Sequence, residues 1–420
     1  MNSMQLLPYK QQVSSLLRLG LPIVVGQLGM IILGLADTIM IGHHSTEELA
    51  AAAFVNNVFN LAIIFATGFS YGLTPLIGML QGGGNTQGIG RVFRNALAAN
   101  ASVAVLLTAV MYTVYCFVDK LGQPEELLPH IRPYFVLQLI SLLFIMLFNG
   151  FRQFAEGLTD TRTPMWILLG GNALNIFGNY LLIYGSFGFP EWGLFGAGVS
   201  TLVSRIVMLL VFIGVVAVAR RYKVYREAIL RSRFNRNDFM QLNALGWPIA
   251  LQMGMETAAF SLSAIMVGWL GSIPLAAHQI MISVSTIGFM VYYGMGAALA
   301  VRVSHFMGQK DFPNLRRAVN SGMGIILSLA IVASLFFYLA RTPIIYSFTE
   351  DHEVMVVVSS LIFSLIVYQF GDALQITFAN ALRGTTDVKP MMWIAFFSYF
   401  IVALPVGYLC GFTWGGGVVG

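Results

Sequence analysis

Eleven long apolar runs decide what this chain can become. They cover residues 16–41, 53–80, 94–118, 133–155, 165–186, 196–219, 243–269, 275–306, 317–340, 354–381 and 391–412. A helix needs about 20 apolar residues to cross the hydrocarbon core of a bilayer, and each run reaches that length. The runs are too long, and too uniformly apolar, for a barrel of membrane strands. Charged residues make up 10% of the chain, against about 25% in soluble domains. The expected fold is therefore an all-α polytopic membrane protein. Cys116 and Cys410 lie inside apolar runs, so no disulfide framework is indicated. The first run contains Asp37, is too long for a signal-peptide core and lacks an obvious cleavage site.

The basic residues set the orientation. Of 23 Lys and Arg, Lys120, Arg132 and Arg341 fall on one side, Arg205 lies within the sixth span, and the other 19 share the opposite side with the N-terminus. By the positive-inside rule that side is cytoplasmic. The pI near 9.2 reports this topology, not nucleic-acid binding. The bilayer is the expected partner, and no obligate protein partner is evident.

The chain also repeats itself. At an offset of 226, Pro22 matches Pro248, Met40-Ile41-Gly42 matches Met266-Val267-Gly268, Gly68 matches Gly294, and Arg91 matches Arg317. At an offset of 227, Glu156 to Arg162 aligns with Arg383 to Lys389. Two homologous lobes are expected, 1–219 and 241–420, joined by a basic cytoplasmic linker over 220–240. Each repeat should hold six helices. An even number makes the repeats parallel, as in transporters that work by alternating access. Gly415 to Gly420 aligns with the stretch just before the sixth span, so a twelfth helix is expected next. Eleven spans are visible. Pro405 should kink the last of them.

Three of the 18 acids fall within spans: Asp37, Glu256 and Asp372. An ionised side chain at mid-membrane costs roughly 3 kcal/mol or more, and such residues commonly mark ion or proton pathways. At 3.6 residues per turn Tyr368, Asp372 and Gln375 share a face, and so do Gln252, Glu256 and Ser263. Asn172, Asn175 and Asn179 form a stripe in the fifth span, and Asn56 and Asn60 lie one turn apart in the second. Asn, Gln and acids also glue membrane helices together, which is the plainer reading of the same stripes. Gln252, Gln375, Asn56 and Asn60 are candidate polar residues of a substrate cavity.

An enzyme is not expected. There is no His-Glu-x-x-His zinc motif and no Walker site, and Gln81 to Gly84 lacks the strand and the Gly-Lys-Ser/Thr of a phosphate loop. Gly371-Asp372 suggests an intramembrane aspartyl protease, but Gln369 stands where such a motif has its first Gly, and no Tyr-Asp pair occurs.

Leu21-Pro22, Ala36-Asp37-Thr38-Ile39-Met40, Ala276-Ala277-His278-Gln279, Tyr368-Gln369 with Asp372-Ala373-Leu374-Gln375, and Leu382-Arg383-Gly384 followed by Asp387 are a combination with a known parallel. The chain resembles the multidrug and toxic compound extrusion (MATE) family, in its NorM-like branch, over nearly its whole length. That resemblance implies two six-helix lobes forming a V around a central cavity. It implies export of organic, often cationic drugs in exchange for Na⁺ or H⁺, with no other cofactor. It assigns Glu256 and Asp372, with Tyr368 beside them, to C-lobe cation coupling, and Na⁺ would sit at those two carboxylates. Asp37, Asn175 and Asn179 match the N-lobe cation or proton site. Some members have a carboxylate where Asn179 stands and a threonine near Ala197, and this chain has neither. The C-lobe is therefore the favoured coupling site. The resemblance also implies a bacterial inner membrane. A flippase for a lipid-linked precursor is the transport alternative. It calls for a basic cavity, whereas Arg205 is the one base that lies away from the end of a span, against three acids.

Overall fold

The computed structural model describes residues 6–419, so Met1–Gln5 and Gly420 at the ends of the expected lobes lie outside the described residues. Among the described residues there is no strand, and eleven helical stretches are long and apolar enough to span a bilayer. The first is α1 (Tyr9–His44). The second is broken into α2 (Thr46–Ser70) and α3 (Leu73–Gly82). Then come α4 (Thr86–Cys116), α5 (Leu128–Gly157), α6 (Arg162–Ile183) and α7 (Gly193–Val218). A short α8 (Lys223–Arg231) leads to α9 (Arg236–Gly268), α10 (Ser272–Gln309), α11 (Phe312–Leu339), a short α12 (Arg341–Phe348) and α13 (His352–Gly384). The last stretch is α14 (Lys389–Phe396) and α15 (Leu404–Tyr408), with wider π turns over Phe397–Ala403 and Leu409–Thr413. Large apolar side chains remain exposed along these helices, Trp166, Phe363 and Leu339 among them. They suit lipid, which is as apolar as they are.

The repeat seen in the sequence is also written in the backbone. Thr159 and Thr386 hold positive φ angles of 65° and 66°. Gly84 and Lys310 do so at 70° and 57°. The next residues, Asn85 and Asp311, cap α4 and α11 by accepting the amide hydrogens of Gly88 and Asn314 at 2.9 and 3.2 Å. Each of these pairs is related by the repeat offset. The repeats differ where a proline intervenes. Pro75 cannot donate to the carbonyl four residues before it and crowds that turn, so the second span breaks between α2 and α3. Its counterpart is Val301, and α10 runs through unbroken.

Two compact units result. One comprises Val25 to Ala250, the other the segment up to Val24 together with Leu251 onward. The divisions fall inside α1 and α9, two to three residues after Pro22 and Pro248. In the Val25–Ala250 unit the core is Val55, Phe59, Phe135, Leu139, Leu142 and Leu194, with the Phe59 and Phe135 rings edge to face at 4.7 Å. The first half of α9 belongs here, and a Cβ on Gly246 would stand 2.6 Å from the Phe69 ring and 2.9 Å from the Phe69 carbonyl. The other unit has cores around Ala277, Val358, Leu361 and Ile362 and around Val284, Phe337 and Leu365. The first half of α1 packs in it, with Gly20 against Met295, the repeat counterparts of Gly246 and Phe69.

The basic linker is folded. Helix α8 lies on α4, where Gly90 meets the backbone of Ala228 and Ile229. Arg91 Nε reaches Asp238 at 2.5 Å, and Asn235 donates its backbone N–H to Asn95 at 3.0 Å. Tyr222 donates to Asp160 at 2.6 Å. Burial, and then that carboxylate, push the Tyr222 phenol up from its ordinary range, so it remains a donor. At the far end of the same unit one residue, Ser45, joins α1 to α2. There Glu48 accepts the Leu194 N–H at 2.9 Å, and His44 faces Glu48 and Glu191 with its two ring nitrogens at 2.7 and 3.0 Å. Gly193, at φ 53°, leaves room for the Glu48 carboxylate.

Candidate functional site

Each unit gathers polar side chains within its spans, around Asp37 toward the C-terminal end of α1 in one and around Glu256 and Asp372 in the other. In the Val25–Ala250 unit, Asp37 on α1 faces α6. Its Oδ1 accepts from Asn179 Nδ2 at 2.6 Å. The Asn175 amide satisfies its neighbours with its nitrogen toward Asp37 Oδ1 at 2.9 Å and its oxygen toward Thr201 Oγ1 at 3.1 Å. Asn175 and Asn179 are buried and Asp37 is half-buried. Asn172, third of the stripe, instead donates to the Gly29 carbonyl at 2.9 Å and ties α6 to α1. Thr201 is a correction: the hydroxyl sought near Ala197 stands one helical turn later. Position 201 falls on the same face of α7 as 197, which is the signal that a search at one position misses.

On α2, Asn56 accepts from the Tyr134 hydroxyl at 3.1 Å, and Asn60 is exposed one turn on. Tyr134 in turn accepts from Gln138 Nε2 at 3.0 Å. Gln138 Oε1 accepts from Arg205 Nη1 at 3.1 Å, and the same Nη1 reaches Ser141 Oγ. Arg205 and Asp37 are within electrostatic reach of each other.

In the other unit, Glu256 on α9 has both carboxylate oxygens engaged. Oε2 accepts from Gln252 Nε2 at 2.9 Å and Oε1 from Gln375 Nε2 at 3.3 Å. The Tyr399 hydroxyl stands 2.8 and 3.0 Å from the two amide atoms of Gln375. Tyr399 lies in the wide turn before Pro405. Pro405 has no N–H for the carbonyl of Ile401, and the ladder widens there, as it often does at functional sites. Phe260 sets its ring edge to face against Tyr368 at 6.3 Å and tilted against Tyr399 at 6.4 Å.

Asp372 is different. It is 5% exposed and its Oδ2 has no hydrogen-bond partner. One turn earlier Gln369 is wholly buried, and neither amide atom has a partner. The buried Tyr292 hydroxyl on α10 has none either. Gly288 leaves the space for them, since a Cβ there would stand 2.8 Å from Gln369 Oε1 and 3.3 Å from the Tyr292 hydroxyl. Glu256 acts on Asp372 through space. The single stripe of Tyr368, Asp372 and Gln375 is thereby corrected. Asp372 is buried beside Gln369, whereas Gln375 is exposed and serves Glu256. The residues lie up to 60° apart around the helix, enough to put them in different surroundings. A carboxylate, an amide oxygen and a phenol are the hard oxygen donors that suit Na⁺, and a lone carboxylate oxygen also suits H⁺. Among the described residues no three His, Cys, Asp or Glu are grouped to hold a transition metal.

Comparisons with known proteins place the chain in a family. The sequence model of the MatE family matches twice, over residues 22–181 and 248–409, and the two matches start at the repeat-related prolines. The multidrug resistance protein NorM of Photobacterium profundum is 30% identical over 415 residues, covering 96% of this chain and 89% of the relative. The multidrug resistance protein PmpM of Pseudomonas aeruginosa is 33% identical over 415 residues, covering 96% and 85%. Among solved structures, the Vibrio cholerae MATE transporter VcmN shares the fold at a TM-score of 0.87 and 18% identity, covering 98% of this chain and 92% of that one.

Proposed function

Because the chain belongs to the MatE family, in its NorM-like branch, we propose that it exports organic, often cationic drugs across the inner membrane in exchange for Na⁺ or H⁺. Its N-terminus and basic loops face the cytoplasm. The observation that carries the reading is Asp372, a buried mid-span carboxylate whose Oδ2 has no donor from the protein. Burying a charge without a partner is costly, so the group gains by taking up a cation. H⁺ would neutralise it. Na⁺ would be held by Asp372 with Gln369 Oε1, one turn earlier on α13, and the Tyr292 hydroxyl, which meets Gln369 at Gly288. Glu256, propped by Gln252 and Gln375 and faced by Phe260, Tyr368 and Tyr399, adds negative charge for a cationic drug or a second ion. A bound ion reduces that charge and weakens drug binding. By linkage the drug then expels the ion by the same factor, which is what exchange requires. Asp37 with Asn175, Asn179 and Thr201 is the alternative seat, and its Asn175 and Asn179 donors already satisfy part of the carboxylate.

The test is ethidium efflux from energised vesicles under an imposed Na⁺ or pH gradient, wild type beside Asp372→Asn and Glu256→Gln. The expected outcome is efflux driven by one gradient, with at least about a tenfold loss in Asp372→Asn, since one charge contact of 1.4 kcal/mol is worth that factor. Undiminished efflux in both variants would move coupling to Asp37.

A further inference from the structure

Arg205 is a cation inside a span, at a cost of roughly 2.5–3.5 kcal/mol on insertion scales. Most such arginines are paired. This one is propped without being neutralised. A single nitrogen, Nη1, makes its hydrogen bonds, to Gln138 Oε1 at 3.1 Å and to Ser141 Oγ. Both partners are neutral and buried, and both are locked in turn. Gln138 donates to Tyr134 at 3.0 Å, and Ser141 donates to the Gln138 carbonyl at 2.8 Å. Among the described residues no carboxylate forms an ion pair with Arg205. The acid that acts on it from a distance is Asp37, whose Oδ1 is already occupied by Asn179 and Asn175.

The rest of the guanidinium is half-buried and has no hydrogen-bond partner. Nε and Nη2 make no hydrogen bond and are not sealed from the surface. Those two nitrogens form the edge that binds a carboxylate with two parallel hydrogen bonds. The fork is held from behind, so little rotamer freedom is lost when something docks on it. One unit thus offers an acid on α1 and an unneutralised base on α7, a charge pattern complementary to a dipolar ligand.

From this geometry we propose that Arg205 on α7 is the residue on which a ligand's carboxylate docks, and so sets how strongly an acid-bearing ligand is held relative to its ester. Any step after binding rests on the transport reading, but docking is measured without it. Rhodamine 123 and rhodamine 110 are a matched pair, since the first is the methyl ester of the second and differs only in masking the acid. Fluorescence anisotropy with the purified full chain gives Kd for each dye, in wild type, Arg205→Gln and Arg205→Lys. Arg205→Gln is expected to leave rhodamine 123 within about twofold and to weaken rhodamine 110 by about tenfold or more, the worth of a charge-assisted contact. Arg205→Lys keeps the charge and loses the fork, so it falls between; it also carries the test if the Gln variant does not fold. Equal losses for both dyes would mean that Arg205 only props α5 against α7, and unchanged binding of rhodamine 110 would mean that it does not dock there. Either result overturns the proposal. The same dyes in proteoliposomes then separate the two readings. Dye-specific binding with no transport of either dye sinks exchange and leaves docking standing.

Discussion

Glu256 and Asp372 carry the same chemistry in opposite settings, and the difference predicts how each responds to neutralisation. Glu256 accepts two amide donors, and an amide in its place can accept through one oxygen only. Glu256→Gln should therefore lower stability by about 1 kcal/mol. Asp372→Asn meets no donor at Oδ2 and should leave stability unchanged or raised. Thermal unfolding of the two purified variants checks this, and equal losses would contradict it. It also shows whether a lost efflux is a lost site or a lost fold. Asp372 was legible in the sequence because the cost of a mid-span carboxylate needs no structure to state. Tyr399 and Tyr292 were not. Tyrosines are common in apolar runs, and only the wide turn around 397–403 and the space at Gly288 give these two a role. The Asn stripe was half legible: the period placed Asn172, Asn175 and Asn179 on one face, but not that Asn172 serves a backbone carbonyl.

At the scale of elements, the proline and glycine positions explain most departures from uniform spans. Pro75 breaks one repeat, and Val301 lets the other run on. Equivalent glycines seat helices in both units, yet their neighbours differ in stiffness. Gly246 faces the Phe69 ring, itself packed edge to face on Trp247 at 5.6 Å, and the Phe69 carbonyl. Gly20 faces the end of Met295, which can swing aside. Gly246→Ala is expected to cost roughly 1–3 kcal/mol, as overpacking does. Gly20→Ala should be near neutral, because the helix gains from alanine what the methionine gives up. Melting curves of the two variants decide, and the reverse order would show that Met295 is the more constrained side chain. The spans themselves were legible from apolar length alone. The linker was not: its charges mark it as basic and cytoplasmic and nothing more, and only Gly90, Asn95 and Arg91 reveal that α8 and the start of α9 are docked.

At the scale of the molecule, the divisions inside α1 and α9 make a further prediction. A chain cut between Ser232 and Asn235 leaves each fragment without a helix half that its unit contains. Either fragment expressed alone should aggregate or be degraded, and the two expressed together should copurify from the membrane. A stable, monodisperse fragment of residues 1–232 would show that the first half of α9 is dispensable to that unit. The exchange also says something about ancestry. A single ancestral repeat built this way would have lacked the piece that fills its own seat, and would have been complete only when a second copy supplied it. Two copies that trade the same element are a swapped dimer. Fusing them into one gene preserves the trade and frees the copies to diverge, so that one keeps Asp37 and Arg205 while the other keeps Glu256 and Asp372.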